Sequence, residues 1–115
     1  MFQPRWTDRA ANDYAAMRLA AQASLNARQQ SGKAKATVAE GLFKQTRKCV
    51  ELLLSNPRHP SLKTHKYDSL KHPWDPKQDV FEAYVQNHTP GAYRLFWCYG
   101  PNKNEITIIA ITPHP

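Results

Sequence analysis

The sequence predicts an α+β fold in which an N-terminal antiparallel α-hairpin packs on a three- to four-stranded antiparallel sheet. Three observations predict it. Residues 8–55 place apolar side chains at helical spacing on both sides of a Ser31-Gly32-Lys33 break. Residues 79–114 hold three runs rich in aromatic and β-branched residues, the types that suit a half-buried pleated surface. Pro90-Gly91 and Gly100-Pro101-Asn102 divide those runs with short turn chemistry, so a meander is the simplest topology. At 115 residues the chain is near the modal size for one core. One domain over residues 1–115 is expected, with the hairpin at about 8–55 and the sheet at about 61–113.

The elements follow in order. MFQPRW, residues 1–6, is short and interrupted by Pro4, so whether a first strand forms there stays open. Thr7 or Asp8 caps an alanine-rich helix over 8–30. Ala10, Tyr14, Met17, Ala21 and Leu25 form its apolar stripe, and the small residues allow close approach of a second helix. That second helix is expected from about Ala34 to Ser55. Its stripe is Val38, Leu42, Cys49 and Leu53, broadened by Phe43, Val50 and Leu54. So short a link makes the two helices antiparallel, and Asn56-Pro57 ends the second. Residues 61–67 have the pattern of a short strand, with Leu62 and Thr64 facing in and Lys63, His65 and Tyr67 facing out. Residues 68–78, with prolines and charges, form a loop. The meander strands are 80–85, 93–99 and 105–112.

Period two assigns their faces. Phe81, Ala83, Val85, Leu95, Trp97, Ile109 and Ile111 are expected on the core face. The opposite face collects Glu82, Tyr84, Arg94 and, through Thr112, His114. An acid, a phenol, a guanidinium and an imidazole therefore converge on one side of a small sheet.

Charge is spread unevenly. The formal net charge is +7, and residues 28–77 hold that whole surplus, with eleven Lys/Arg against four Asp/Glu. A basic middle points to a polyanionic or acidic partner, or else to a solvated face with none. Cys49 and Cys98 lack metal-type spacing and read as buried thiols, which fits a reducing cytoplasm. No apolar signal segment opens the chain and no run of about 18 apolar residues occurs. Phosphate-loop, GxSxG and HExxH patterns are absent.

The order helix, helix, NPRHPSLKTHK, then VFEAYV, AYRLFWCY and EITIIAITPHP, resembles the RelE/ParE toxin superfamily of bacterial toxin–antitoxin systems. The resemblance covers residues 40–114. Its best marker is Ala92-Tyr93-Arg94-Leu95, matching a strand in which that family has Tyr-Arg and then an apolar residue. The second is a terminal apolar strand ending in a polar, catalytic-type residue, here His114. The resemblance implies a toxin neutralised by a cognate antitoxin protein. The family's ribonuclease branch, of the RelE, YoeB and HigB types, implies mRNA cleavage, generally in the ribosomal A site, and so inhibition of translation. It also implies no metal or other cofactor, attack by the RNA 2′-hydroxyl, and DNA contact only through the antitoxin complex.

Carried over by residue, Arg94 matches the arginine set against the scissile phosphate, and His114 the catalytic histidine of YoeB-type members. Glu82 and Tyr84 stand where RelE has lysines. The segment with His59, Lys63 and His65 supplies an acidic base in YoeB-type members and here offers imidazoles. The family opens with a β-strand where this chain has MFQPRW. A missing first strand would leave an edge or groove for an antitoxin segment.

Such cleavage needs a base for the 2′-hydroxyl, an acid for the leaving 5′-oxygen and a cation for the phosphorane. Arg94 fits the cation, or pairs structurally with Glu82. His114 fits acid or base, or is an exposed terminal residue. His65 reads as a second proton carrier with Lys63 and Lys66 as phosphate clamps, or the three form a basic edge strand. Glu82 reads as the base, or orients His65 or Arg94. Tyr84 stacks on a base or donates to phosphate, or is an exposed sheet tyrosine. Arg58 and His59 join this RNA-binding set. Lys44, Arg47 and Lys48 on the second helix contact RNA backbone or are ordinary surface charges. Two other classes stay open: a ParE-type inhibitor of DNA gyrase, which shares the Tyr-Arg strand, and an inactive binding module of the same fold. His114 and the His/Lys-rich segment 58–66 lean toward the ribonuclease.

Overall fold

Thr7 caps the first helix by accepting the Ala10 N–H at 3.1 Å. In the structure, a computed structural model that describes residues 1–33, 35–87 and 89–114, that helix is α1, Asp8–Gln30. The second, α2, runs Val38–Ser55. Thr37 and Glu40 form a capping box at its start, so helix geometry begins there and not near Ala34, which lies outside the described residues. Val38, at the first helical position, is 87% exposed and takes no part in the stripe. The strands are β1 Gln3–Trp6, β2 His65–Lys66, β3 Phe81–Tyr84, β4 Tyr93–Tyr99 and β5 Glu105–Pro113. Both helices pack on one face of a five-stranded sheet of order β1-β5-β4-β3-β2.

The α+β class and the meander are as expected, but the sheet is mixed, with one strand more than predicted. MFQPRW does form a strand, β1, paired parallel to β5. Gln3 donates to the Asn104 carbonyl at 2.7 Å and Thr7 to that of Ile108 at 3.1 Å. Odd-numbered N–H groups thus serve the ladder, and Pro4 falls where its missing N–H faces the outer edge. β5 therefore has no open side for an antitoxin strand.

The strand expected over 61–67 shrinks to β2. His59 caps a single 3-10 turn, Pro60–Leu62, through Nδ1, and Lys63 ends it in the left-handed region at φ 49°. Leu62 is buried as predicted.

Two apolar layers flank the sheet. Toward the helices, Ala10, Cys49, Val50 and Leu53 meet Ala83, Leu95, Trp97, Ile106, Ile108 and Ile111. Ile109, expected there, lies in the other layer with Val80, Phe96, Cys98 and Ala110. A β-bulge is the cause: Phe96 faces Ala110 but Trp97 faces Ile108, so the period shifts by one. Tyr67, expected to face out, also packs in this layer, its ring 4.6 Å from that of Phe96. Both cysteines are free and buried, and burial pushes their thiols up, to about 12 for Cys49 and about 11 for Cys98. No helix among the described residues is long and apolar enough to cross a membrane.

Candidate active site

The pleat of β3 sends Glu82 and Tyr84 away from the helices, because Phe81 and Ala83 go toward them. Register then places the neighbours. His65 of β2 pairs with Glu82, Tyr84 with Arg94 of β4, and Arg94 with Thr112 of β5, two residues before His114.

Glu82 is the centre. It is 1% exposed, unusual for a carboxylate unless it has partners. Its Oε1 lies 2.7 Å from His65 Nε2, and its Oε2 lies 3.7 Å from His114 Nε2. The second distance exceeds hydrogen-bond length but lies within ion-pair reach, and among the described residues Oε2 accepts no hydrogen bond. His65 Nδ1 is also 3.1 Å from the Lys63 carbonyl. Each ring nitrogen of His65 thus faces an oxygen, the carboxylate on one side and the main-chain carbonyl on the other. Both imidazoles are about half exposed while the carboxylate is sealed beneath them.

Tyr84 holds the other half together. The Arg94 guanidinium carbon lies 3.7 Å from the centre of its ring, Lys63 Nζ 5.7 Å from it, and the His65 ring meets it edge-on at 6.0 Å. Arg94 Nη1 donates to the carbonyls of Gln86, at 2.7 Å, and Tyr93, at 3.2 Å. Its Nε is buried without a hydrogen-bond partner among the described residues. The pairing of Arg94 with Glu82 weighed from the sequence does not form; the stack on Tyr84 replaces it.

Five of the expected residues thus come together: Glu82, His65, His114, Arg94 and Tyr84, with Lys63 at the rim. Lys66 instead pairs with Asp79 at 3.3 Å. Arg58 and His59 line a separate cavity. Lys44 and Arg47 lie on α2 beyond the sheet from Glu82, and Arg47 pairs with Glu51. Lys48 reaches a hollow that Tyr84 also borders. The Gln86 carbonyl that holds Arg94 was missed, since a main-chain acceptor leaves no mark in a sequence. Among the described residues no cluster of His, Cys, Asp and Glu has an arrangement to hold a metal ion.

Solved structures share this architecture. A YoeB/ParE toxin from Agrobacterium tumefaciens aligns with a TM-score of 0.57 at 11% identity, over 98% of this chain and 99% of its own. A chain of an archaeal RelE–RelB complex from Pyrococcus horikoshii OT3 aligns at 0.53 and 13%, over 97% and 93%. An E. coli DinJ–YafQ toxin–antitoxin complex aligns at 0.51 and 13%, over 98% and 92%. No protein-family model and no curated protein sequence matches the chain.

Proposed function

We propose, on the premise of the RelE/ParE toxin fold that this chain has, that it is the toxin of a type II toxin–antitoxin pair. In this reading it is a cytoplasmic endoribonuclease that cuts mRNA in association with the ribosome and so inhibits translation. One observation carries the reading: a sealed carboxylate set between two half-exposed imidazoles, beside a guanidinium stacked on a phenol.

Cleavage by the RNA's own 2′-hydroxyl needs two proton carriers. The 2′-oxygen bonds to phosphorus as one imidazole takes its proton. The bond from phosphorus to the 5′-oxygen breaks as the other imidazole protonates the leaving oxygen, and a 2′,3′-cyclic phosphate remains. His65 and His114 take these parts. Glu82 is too buried to touch a substrate, so it is a positioning residue that orients both rings and balances their charge. Arg94 and Lys63 offset the charge of the phosphorane, and Tyr84 is a stacking surface. The complexes DinJ–YafQ and RelE–RelB support a cognate antitoxin as partner.

The test uses purified protein on mRNA, free and on translating ribosomes, with product ends mapped. Ends carrying cyclic phosphate are expected. His65→Ala, His114→Ala and Arg94→Ala should stay folded and each lose about 100-fold or more in rate. Unimpaired cutting by the double histidine variant would sink the assignment.

A second reading has its own observation. Arg94 is only 8% exposed and is held by two carbonyls, which suits a strut as well as a phosphate clamp. A chain using it so would act by binding alone, as a ParE-like gyrase inhibitor or an inactive RelE-fold module. Growth arrest without new mRNA ends would select the gyrase branch, and no arrest the inactive module.

A further inference from the structure

On the helix-side face, at the β2 edge, a cavity of about 410 Å³ opens beneath the 57–64 loop. Its wall is aromatic. Phe81 and Trp97 stack with ring centres 4.8 Å apart, and Tyr99, itself exposed, stands edge-on to Trp97 at 4.9 Å. Its mouth is basic, with Arg58, His59 and Lys63, and among the described residues no carboxylate lines it. His59 Nδ1 accepts the Ser61 N–H at 3.1 Å, so a neutral ring carries its proton on Nε2 and offers a donor. Trp97 is 1% exposed, and its indole Nε1 has no hydrogen-bond partner among the described residues.

Each feature narrows the ligand. Flat aromatic walls favour a ring with a π-face. The cationic mouth favours an anion and repels the ammonium groups that an aromatic box otherwise takes. The volume falls within the roughly 300–1,000 Å³ of small-ligand sites. A nucleotide unites these demands in one molecule: a planar base and a phosphate.

We infer that this cavity is a nucleotide subsite, with the base against Tyr99 and Phe81, which backs onto Trp97, and the phosphate at Arg58 and Lys63. Its place relative to the cluster gives it a use, which rests on the ribonuclease reading. Only β2, an edge strand, separates the two, and Lys63 borders both, its ammonium also facing the Tyr84 ring. An RNA strand cut beside His65 and crossing this edge delivers a flanking base to the cavity. The cavity then sets base preference beside the cut.

The experiment follows the indole N–H signals of the full chain by NMR, titrated with each nucleoside 5′-monophosphate and with ribose 5-phosphate. Three tryptophans give three signals. Trp97→Phe identifies its own, or Trp6→Phe and Trp74→Phe do so by elimination. The Trp97 signal should move saturably with at least one nucleotide and not with ribose 5-phosphate. Tyr99→Ala should weaken that binding roughly 5- to 150-fold, and Arg58→Ala should weaken it too. In RNA cutting, Tyr99→Ala should change the base preference beside the cut. A Trp97 signal unmoved by every nucleotide overturns the subsite, even if RNA is cut. So does a signal moved by the acidic aromatic dipeptide Asp-Phe and by no nucleotide, which assigns the cavity to a protein partner. Nucleotide binding by a chain that cuts no RNA supports the subsite and removes the ribonuclease reading instead.

Discussion

Asp13 reaches from α1 to accept the Ile111 N–H at 3.0 Å, and Thr7 gives its hydroxyl proton to the Ile109 carbonyl at 2.6 Å. These two side chains serve main-chain groups around the β5 bulge. Asp13→Leu leaves a buried N–H unpaired and should cost about 1–3 kcal/mol in a urea melt, whereas Asp13→Asn keeps an acceptor and should cost less. Both thiols are held protonated by burial, so a disulfide reagent at pH 8 should label neither cysteine until the chain unfolds. At this scale the sequence was informative wherever alternation alone decides. Glu82, Tyr84, Arg94 and His114 share a side because the pleat puts them there. Ile109 broke the pattern because its bulge is served by residues 98 and 102 positions away along the chain, which no local pattern encodes. Arg94 was legible as a residue and illegible as a contact, since its acceptors are carbonyls.

The outer end of the hairpin is locked by one ion pair. Arg28 Nη2 lies 2.6 Å from Glu40 Oε1, and Glu40 also accepts from Thr37. The Arg28 hydrogen bonds, with smaller help from Thr37, hold the Glu40 carboxyl down at about 2, against 4.5 ordinarily. A carboxylate depressed on folding stabilises above its ordinary value and loses that contribution as pH falls toward its folded value. Urea melts should therefore weaken between about pH 4.5 and pH 2, and Glu40→Gln should flatten that window. The 68–80 segment is pinned differently. Gly100 sits at φ +94°, and a methyl there would lie 3.1 Å from Trp74 Cζ2. Gly100→Ala should cost about 1–3 kcal/mol and speed tryptic cutting at Lys71 and Lys77 as the segment lifts. The two long helices and three meander strands could be read because their periodicity is sustained. β1 could not: Pro4 counts against a strand unless the parallel partner is known to lie on the other side.

The whole molecule measures 52 × 26 × 23 Å, and its radius of gyration of 15.1 Å exceeds the roughly 13 Å of a compact chain this long. Lys44 and Arg47 of α2 lie on the side of the sheet away from His65 and His114. If the cluster meets RNA, Lys63→Gln should lower the salt dependence of binding by about one ion, while Lys44→Gln should leave it unchanged. Equal effects would show that the strand wraps the helical layer. The sheet order carries a last consequence, one of timing. β5 lies between β1 and β4, and it is the last element in chain order. A ribosome making this protein delivers the keystone strand after everything it joins. Until residues 105–113 emerge, β1 has no strand to pair with and the bulge bound by Thr7 and Asp13 does not exist. His114 comes later still. Sheet and cluster are thus completed only once residues 105–114 have been made.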